Sequence, residues 1–210
     1  MWVHIHLGRF GNFRWHTGEI LPPAANVRLR LVGQNEWVDL VGPITCTVLD
    51  EMQRDTVLAN LGPDPLRGDA PEAAFEAIKA SRRPLGVLLM DQTVIAGIGN
   101  IYRAEVLWRL RLDPYKPGKD LTRAQFDALW QDTMVLLRDG VPQAAKGQST
   151  RTAELPLPDG TRLTPSGNGN QARCQVYARE GLPCARCGVT IVKADMGGRN
   201  LFWCPGCQLE

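Results

Sequence analysis

The chain has 210 residues, 44% hydrophobic and 22% charged, with a formal net charge of +2. That length admits one or two domains with a real core, and a nearly neutral chain does not declare a nucleic-acid partner by composition, so any basic surface must come from local clustering. No apolar run reaches the length of a membrane span and no signal peptide opens the chain, so the sequence predicts a cytoplasmic protein without a membrane partner.

Residues 2–7 alternate, with Trp2, His4 and His6 on one face and Val3, Ile5 and Leu7 on the other, the period of a half-buried strand. His4 and His6 lack a third ligand at sensible spacing and are read as packing residues or near-phosphate donors. VRLRLV (27–32), EWVDLV (36–41) and ITCTVL (44–49) follow, separated by Gly33-Gln34-Asn35 and Gly42-Pro43, and predict an antiparallel meander. A strand at so early a position predicts an unpaired edge or an exposed apolar face.

The stretch LGPDPLRGDAP (61–71) marks a boundary, after which the period becomes helical. Pro71 and Glu72 start a helix with Phe75 and Ile78 on one face. A second helical segment runs through 84–92, AGIGN (96–100) turns tightly, and 101–112 resumes as helix. Gly97 and Gly99 let the backbone approach closely, and Asn100 is placed at the N-cap of the next helix. Free N–H groups there suit an anion; a plain capped turn is the alternative. Thr122 and Gln125 form a capping box for a helix to about Arg138, with Phe126, Leu129, Trp130 and Leu137 inward. Residues 141–173 have no period and predict a long loop, mobile or ordered only on binding.

Four of the six cysteines fall in two pairs near the end, Cys184-Ala-Arg-Cys187 and Cys204-Pro-Gly-Cys207, with sixteen residues between the pairs. This is the spacing of a closed tetrahedral site, with Cys184, Cys187, Cys204 and Cys207 as ligands of a structural Zn2+. Two disulfides or a redox pair are the alternative, disfavoured in a cytosolic chain. Cys46 and Cys174 stand alone as a buried strand cysteine and a loop thiol. Between the pairs, 189–194 and 200–203 predict a hairpin turning at 195–199. Arg199 follows two glycines, where its planar fork suits a phosphate, unless it is simply a solvated arginine.

LGPDPL, RRPLGVLLMDQTVIAGIGNIYRAEVLWRLRLDP, VYAREGLPCARCG and GRNLFWCPGCQ together resemble the formamidopyrimidine-DNA glycosylase and endonuclease VIII family, and most closely its actinobacterial endonuclease VIII-like members. The resemblance implies an α+β fold: an incomplete N-terminal β-sandwich at 1–65, a helix-two-turns-helix domain at 66–140, the loop at 141–173 and a four-cysteine zinc-finger hairpin at 174–210. It implies base-excision repair on double-stranded damaged DNA by a monomer in the bacterial nucleoid. The activity implied is N-glycosylase and abasic-site lyase through a Schiff base, acting on oxidised bases and in particular pyrimidines. Asn100 and Arg199 match the family residues that hold phosphates beside a flipped nucleotide. Arg9 and Phe10 match the loop that fills the vacated stack, with Phe10 the better wedge because a ring can stack there.

The family's nucleophile is an N-terminal proline followed by glutamate, assisted by a lysine in a Gly-Lys turn. Residue 1 is Met, residue 2 is Trp and no Gly-Lys strand precedes HIHLG, so no catalytic residue is identified. The expectation is a true start upstream of Met1. A truncated, catalytically inactive, zinc-dependent binder of damaged DNA is the alternative, and a substitute amine such as Lys79 or Lys146 is a third possibility.

Overall fold

The computed structural model describes residues 1–8, 10–145, 150–168 and 172–209. The chain forms two compact units, Met1–Asn60 and Leu61–Glu210.

The first unit holds strands β1 (Trp2–His6), β2 (Asn12–Thr17), β3 (Val27–Val32), β4 (Glu36–Val41) and β5 (Thr45–Leu49), then helix α1 (Glu51–Ala59). β4 is the middle strand of an antiparallel sheet ordered β2-β4-β3, and it buries Trp37, Val38, Leu40 and Val41. Asp39 is buried among them and is held by Arg30 in a two-pronged pair, Nε to Oδ1 at 2.6 Å and Nη2 to Oδ2 at 2.7 Å. A buried carboxylate is tolerated when it is paired in this way.

The predicted meander holds for β3 and β4 but not for the strand after them. β5 leaves the sheet and pairs antiparallel with β1, Trp2 opposite Leu49 and His6 opposite Thr45. The intervening Gly42 has a φ of +64°, and Pro43 lacks the N–H that a continuing ladder would use. Two elements were missed in the sequence. β2 carries an ordinary alternation, Phe13 and Trp15 against Arg14 and His16. α1 has a complete capping box, with the Gln53 N–H donating to Asp50 Oδ1 at 2.9 Å and the Asp50 N–H to Gln53 Oε1 at 3.0 Å. It buries no residue, so it shows little apolar period to read. The expected open apolar face is present, with Phe13, Trp15, Leu31 and Val32 between 41% and 58% exposed.

The second unit comprises α2 (Glu72–Lys79), α3 (Leu85–Leu88), α4 (Asn100–Arg109), a 3-10 turn (Gly118–Asp120), α5 (Arg123–Ala145), β6 (Val192–Asp195), β7 (Asn200–Trp203) and α6 (Pro205–Gln208). Its main core joins Ile78, Leu85, Leu89, Ile95, Val106, Leu107, Phe126 and Leu129. The Thr122–Gln125 box is formed from both sides, at 3.1 and 3.2 Å.

α5 runs seven residues past its expected end at Arg138, through Pro142. Pro142 forgoes its own N–H, but Gln143 Nε2 donates to Asp139 Oδ2 at 2.5 Å across that turn. A proline inside a helix removes one bond of the ladder, and the helix nonetheless continues through it here with Val141 and Pro142 exposed. Nor are the described parts of the expected loop simply mobile. Thr152, Ala153 and Leu157 are buried, and one buried carboxylate, Glu105 on α4, ties the segment down. Glu105 accepts from Thr152 Oγ1 at 2.8 Å and from the backbone N–H groups of Gln175, Val176 and Tyr177 at 2.9 Å each.

Gly62, in the boundary stretch, sits where a Cβ would lie 2.5 Å from the Val94 carbonyl carbon. Its N–H donates to Gln92 O at 2.8 Å, so the loop entering α4 is packed directly on it. Gly62→Ala should therefore cost about 1–3 kcal/mol by overpacking against backbone that cannot swing away. A urea unfolding midpoint equal to that of the parent would contradict this.

Candidate metal centre and anion site

The metal centre is built from two short knuckles. In the first, the Gly188 N–H donates to Cys184 O at 2.9 Å, with Gly188 in the left-handed region at φ +77°. In the second, the N–H groups of Cys207 and Gln208 both donate to Cys204 O at 3.1 Å. Gly206 is required there, because a Cβ would stand 3.1 Å from Cys187 Sγ and 2.7 Å from Val189 Cγ2.

The four sulfurs lie within 4.8 Å of one another. Individual separations are 3.4 Å for Cys187–Cys204 and Cys187–Cys207, and 3.8 Å for Cys184–Cys207. A tetrahedron of ~2.3 Å zinc–sulfur bonds has edges of ~3.8 Å, so the donor set fits zinc. No disulfide joins any of the six cysteines, and the four paired ones gather in a single cluster, which favours the metal over the disulfide alternative. Four protein ligands leave no open position, so the ion is structural. Among the described residues no other group of three or more histidine, cysteine or acidic side chains gathers, so His4 and His6 belong to no such site. His4 is half-buried and His6 exposed.

The residues expected to hold an anion lie where the zinc-finger hairpin meets the start of α4. β6 and β7 are joined by a two-residue turn, Gly197 and Gly198, with φ +65° and +72°. Both central residues of such a turn need positive φ, which explains the glycine pair. The Met196 N–H donates to Arg199 O at 2.9 Å and closes the turn, with Arg199 half-buried beside it. On the α4 side, Gln92 fixes the incoming loop from both ends of its amide. It accepts from the Gly97 N–H and donates to Ile98 O, each at 2.9 Å.

Asn100 departs from the expectation. Gly99, extended at φ −107° and ψ −179°, is the N-cap, and Asn100 is the first helical residue. Its side chain makes no capping bond. It turns to the hairpin instead, with Nδ2 donating to Asn200 O at 2.9 Å and Oδ1 accepting from Arg103 Nη2.

Arg103 was missed in the sequence, although it stands three residues after Asn100 on the same helix face. It is fully buried. Its guanidinium donates to Gly86 O, Met196 O and Asn200 O at 3.2–3.4 Å. Burial, reinforced by the nearby charge of Arg199, lowers its pKa to about 10, so it stays cationic at neutral pH. Asn100, Arg103 and Arg199 therefore converge on one hairpin end.

The remaining expected residues are placed as follows. Phe10 lies in the β1–β2 turn and is 78% exposed, so it is not a core residue. Arg9 lies outside the described residues, as does Lys146. Lys79 donates to Lys119 O. No helix is long and apolar enough to cross a membrane, among the described residues.

Two family models match the chain. Residues 61–152 match the formamidopyrimidine-DNA glycosylase H2TH domain, and residues 181–209 match the zinc finger found in FPG and IleRS. "Endonuclease 8 1" of Mycobacterium tuberculosis H37Rv is 44% identical over 98% of this chain and 76% of the relative. The formamidopyrimidine-DNA glycosylase of Thermus thermophilus is 35% identical over 98% of this chain and 74% of its own length. Its crystal structure superposes with a TM-score of 0.70 at 34% identity, covering 97% of this chain and 74% of that one. The Lactococcus lactis enzyme bound non-covalently to DNA containing an AP site superposes at 0.73 with 25% identity, covering 98% and 73%.

Proposed function

The chain belongs to the formamidopyrimidine-DNA glycosylase and endonuclease VIII family, and from that premise we propose that it engages damaged duplex DNA in base-excision repair through the anion site at the end of its zinc hairpin. The observation that carries this reading is the convergence of Asn100 and Arg199 at one end of the hairpin, with the buried Arg103 behind them.

Two successive phosphates of a kinked strand need a rigid fork and an oriented amide. Arg199 supplies the fork on its glycine turn. Asn100 supplies the amide: one Nδ2 proton is taken by Asn200 O, Arg103 holds Oδ1, and the second Nδ2 proton is left for a phosphate. The buried charge of Arg103 adds positive potential behind both. Zinc holds the hairpin that carries Arg199, and its chemistry ends there.

Phe10, exposed at its turn, is the residue we assign to the gap left by a flipped base, with Arg9 beside it. Flipping is needed because the glycosidic carbon is shielded inside the stack. The family activity is DNA glycosylase and abasic-site lyase. We assign it to oxidised bases, pyrimidines in particular, acted on by a monomer in the bacterial nucleoid, and we assign no catalytic side chain among the described residues.

The test is binding to a duplex carrying a stable abasic-site analogue, followed across salt. Two to three phosphate contacts predict a log–log slope of about −2 to −3, or roughly a 10- to 60-fold loss between 50 and 200 mM salt. Affinity for the abasic duplex should exceed that for the undamaged one. A borohydride trap on the natural abasic site then separates two outcomes. A covalent adduct supports the glycosylase and lyase reading, whereas salt-dependent binding without an adduct favours a binding-only protein. DNA binding that is absent, or that does not respond to salt, would overturn the proposal in favour of a zinc-hairpin protein adaptor.

A further inference from the structure

The end of α4 opposite Asn100 runs into the metal centre. Trp108, in its last turn, is fully buried, and its indole Nε1 lies 3.3 Å from Cys184 Sγ. A tryptophan so placed needs a partner for its N–H, and here the partner is a sulfur. The ring is pinned from its face by Arg186, whose guanidinium carbon is 4.2 Å from the ring centroid. Arg186 also donates to Trp108 O at 2.8 Å, which already accepts the Arg111 N–H at 3.1 Å, and to Arg109 O at 3.1 Å at the same helix end. The second knuckle reaches the same helix end. Gln208 accepts from the Cys204 N–H at 2.9 Å and donates to Leu112 O at 3.1 Å.

This anchoring makes the four ligands unequal. Cys184 takes the indole N–H and is 3% exposed. Cys204 is fully buried, Cys207 half-buried, and Cys187 exposed. A hydrogen bond to a metal-bound thiolate withdraws electron density from the sulfur, lowers its nucleophilicity and fixes its orientation.

We infer that Trp108 is a positioning residue of the metal centre, whose indole N–H orients and shields Cys184, while the exposed Cys187 is the ligand that electrophiles reach first. The inference rests on the four cysteines holding zinc, but it is independent of the DNA-binding reading.

The experiment uses the zinc-loaded full chain and N-ethylmaleimide, whose double bond takes the cysteine sulfur at one carbon and a proton at the other. Peptide mapping over time should find Cys187 alkylated first among the four ligands. In Trp108→Phe, loaded with the same amount of zinc, Cys184 should be alkylated faster and zinc released roughly tenfold faster, the scale of effect for losing such a partner. With cobalt in place of zinc, the sulfur-to-metal charge-transfer band of the variant should move to lower energy. Arg186→Gln keeps the indole N–H and should leave that band in place.

A measurement that needs no variant guards against misfolding. In the parent protein loaded with 113Cd, the Trp108 indole proton should show scalar coupling to the metal through the hydrogen bond. No such coupling, or Cys184 reacting before Cys187 in the parent, overturns the inference while leaving the metal site intact. A chain that takes up no zinc fails the metal reading itself.

Discussion

Cys204→Ser should leave the chain without stoichiometric zinc and should unfold the β6–β7 hairpin, while the helical core persists. Cys204 is fully buried, and its sulfur is 3.4 Å from that of Cys187. The cluster around the metal is small: Ala104, Trp108, Leu157, Val176 and Ile191 are its buried members besides two of the cysteines. Apolar burial on that scale does not hold a hairpin closed. Structural zinc supplies apparent binding energies of about 10–16 kcal/mol, and that energy is available only to the folded module. A serine oxygen remains protonated at neutral pH and replaces a thiolate poorly. The larger helical core is a separate cluster, so α2, α4 and α5 should stay protected. Metal analysis and amide hydrogen exchange read both halves of this expectation. Full zinc content together with parental protection of residues 192–203 would refute the four-cysteine assignment.

Arg199→Ala should weaken binding to an abasic duplex by about 10- to 100-fold, with zinc content and melting temperature unchanged. A hydrogen bond to a charged group contributes about 1.5–3 kcal/mol, and 1.4 kcal/mol is a factor of ten. The salt slope should also fall by about one, as one phosphate contact is lost. The backbone consequence is small, because the turn is made by Gly197 and Gly198 and closed through the Arg199 carbonyl, which alanine retains. Arg199→Lys should recover part of the affinity, since it keeps the charge but not the planar fork. Arg103 sharpens the expectation: fully buried behind the hairpin and cationic, it favours an anion at this surface with or without Arg199. Normal affinity in Arg199→Ala would place the phosphate elsewhere.

The sequence by itself determined the features that depend on a few neighbouring residues. Two C-x-x-C pairs, a glycine pair before Arg199, a Thr–Gln capping box and the strands at 27–32 and 36–41 each fix a local geometry, and each appears in the structure. Residues that gather sulfurs on a turn, or close the first turn of a helix, need no distant partner to do so.

Only the tertiary structure decided the rest, because the interaction responsible lies far away in the chain. β5 looks like the third strand of a meander until β1, some forty residues earlier, takes it as a partner. Asn100 has the composition of an N-cap, yet a carbonyl one hundred residues later turns its amide outward to the hairpin. Thr152 reads as loop, and Glu105 supplies the buried acceptor that ties it to the backbone of residues 175–177. Trp108 lies in the helical run 101–112 with nothing nearby to mark it, and its N–H finds a sulfur 76 positions on. A buried polar group must find its partner wherever the fold brings one. Local pattern announced the metal ligands, whereas only the folded chain showed what holds them and what stands beside them.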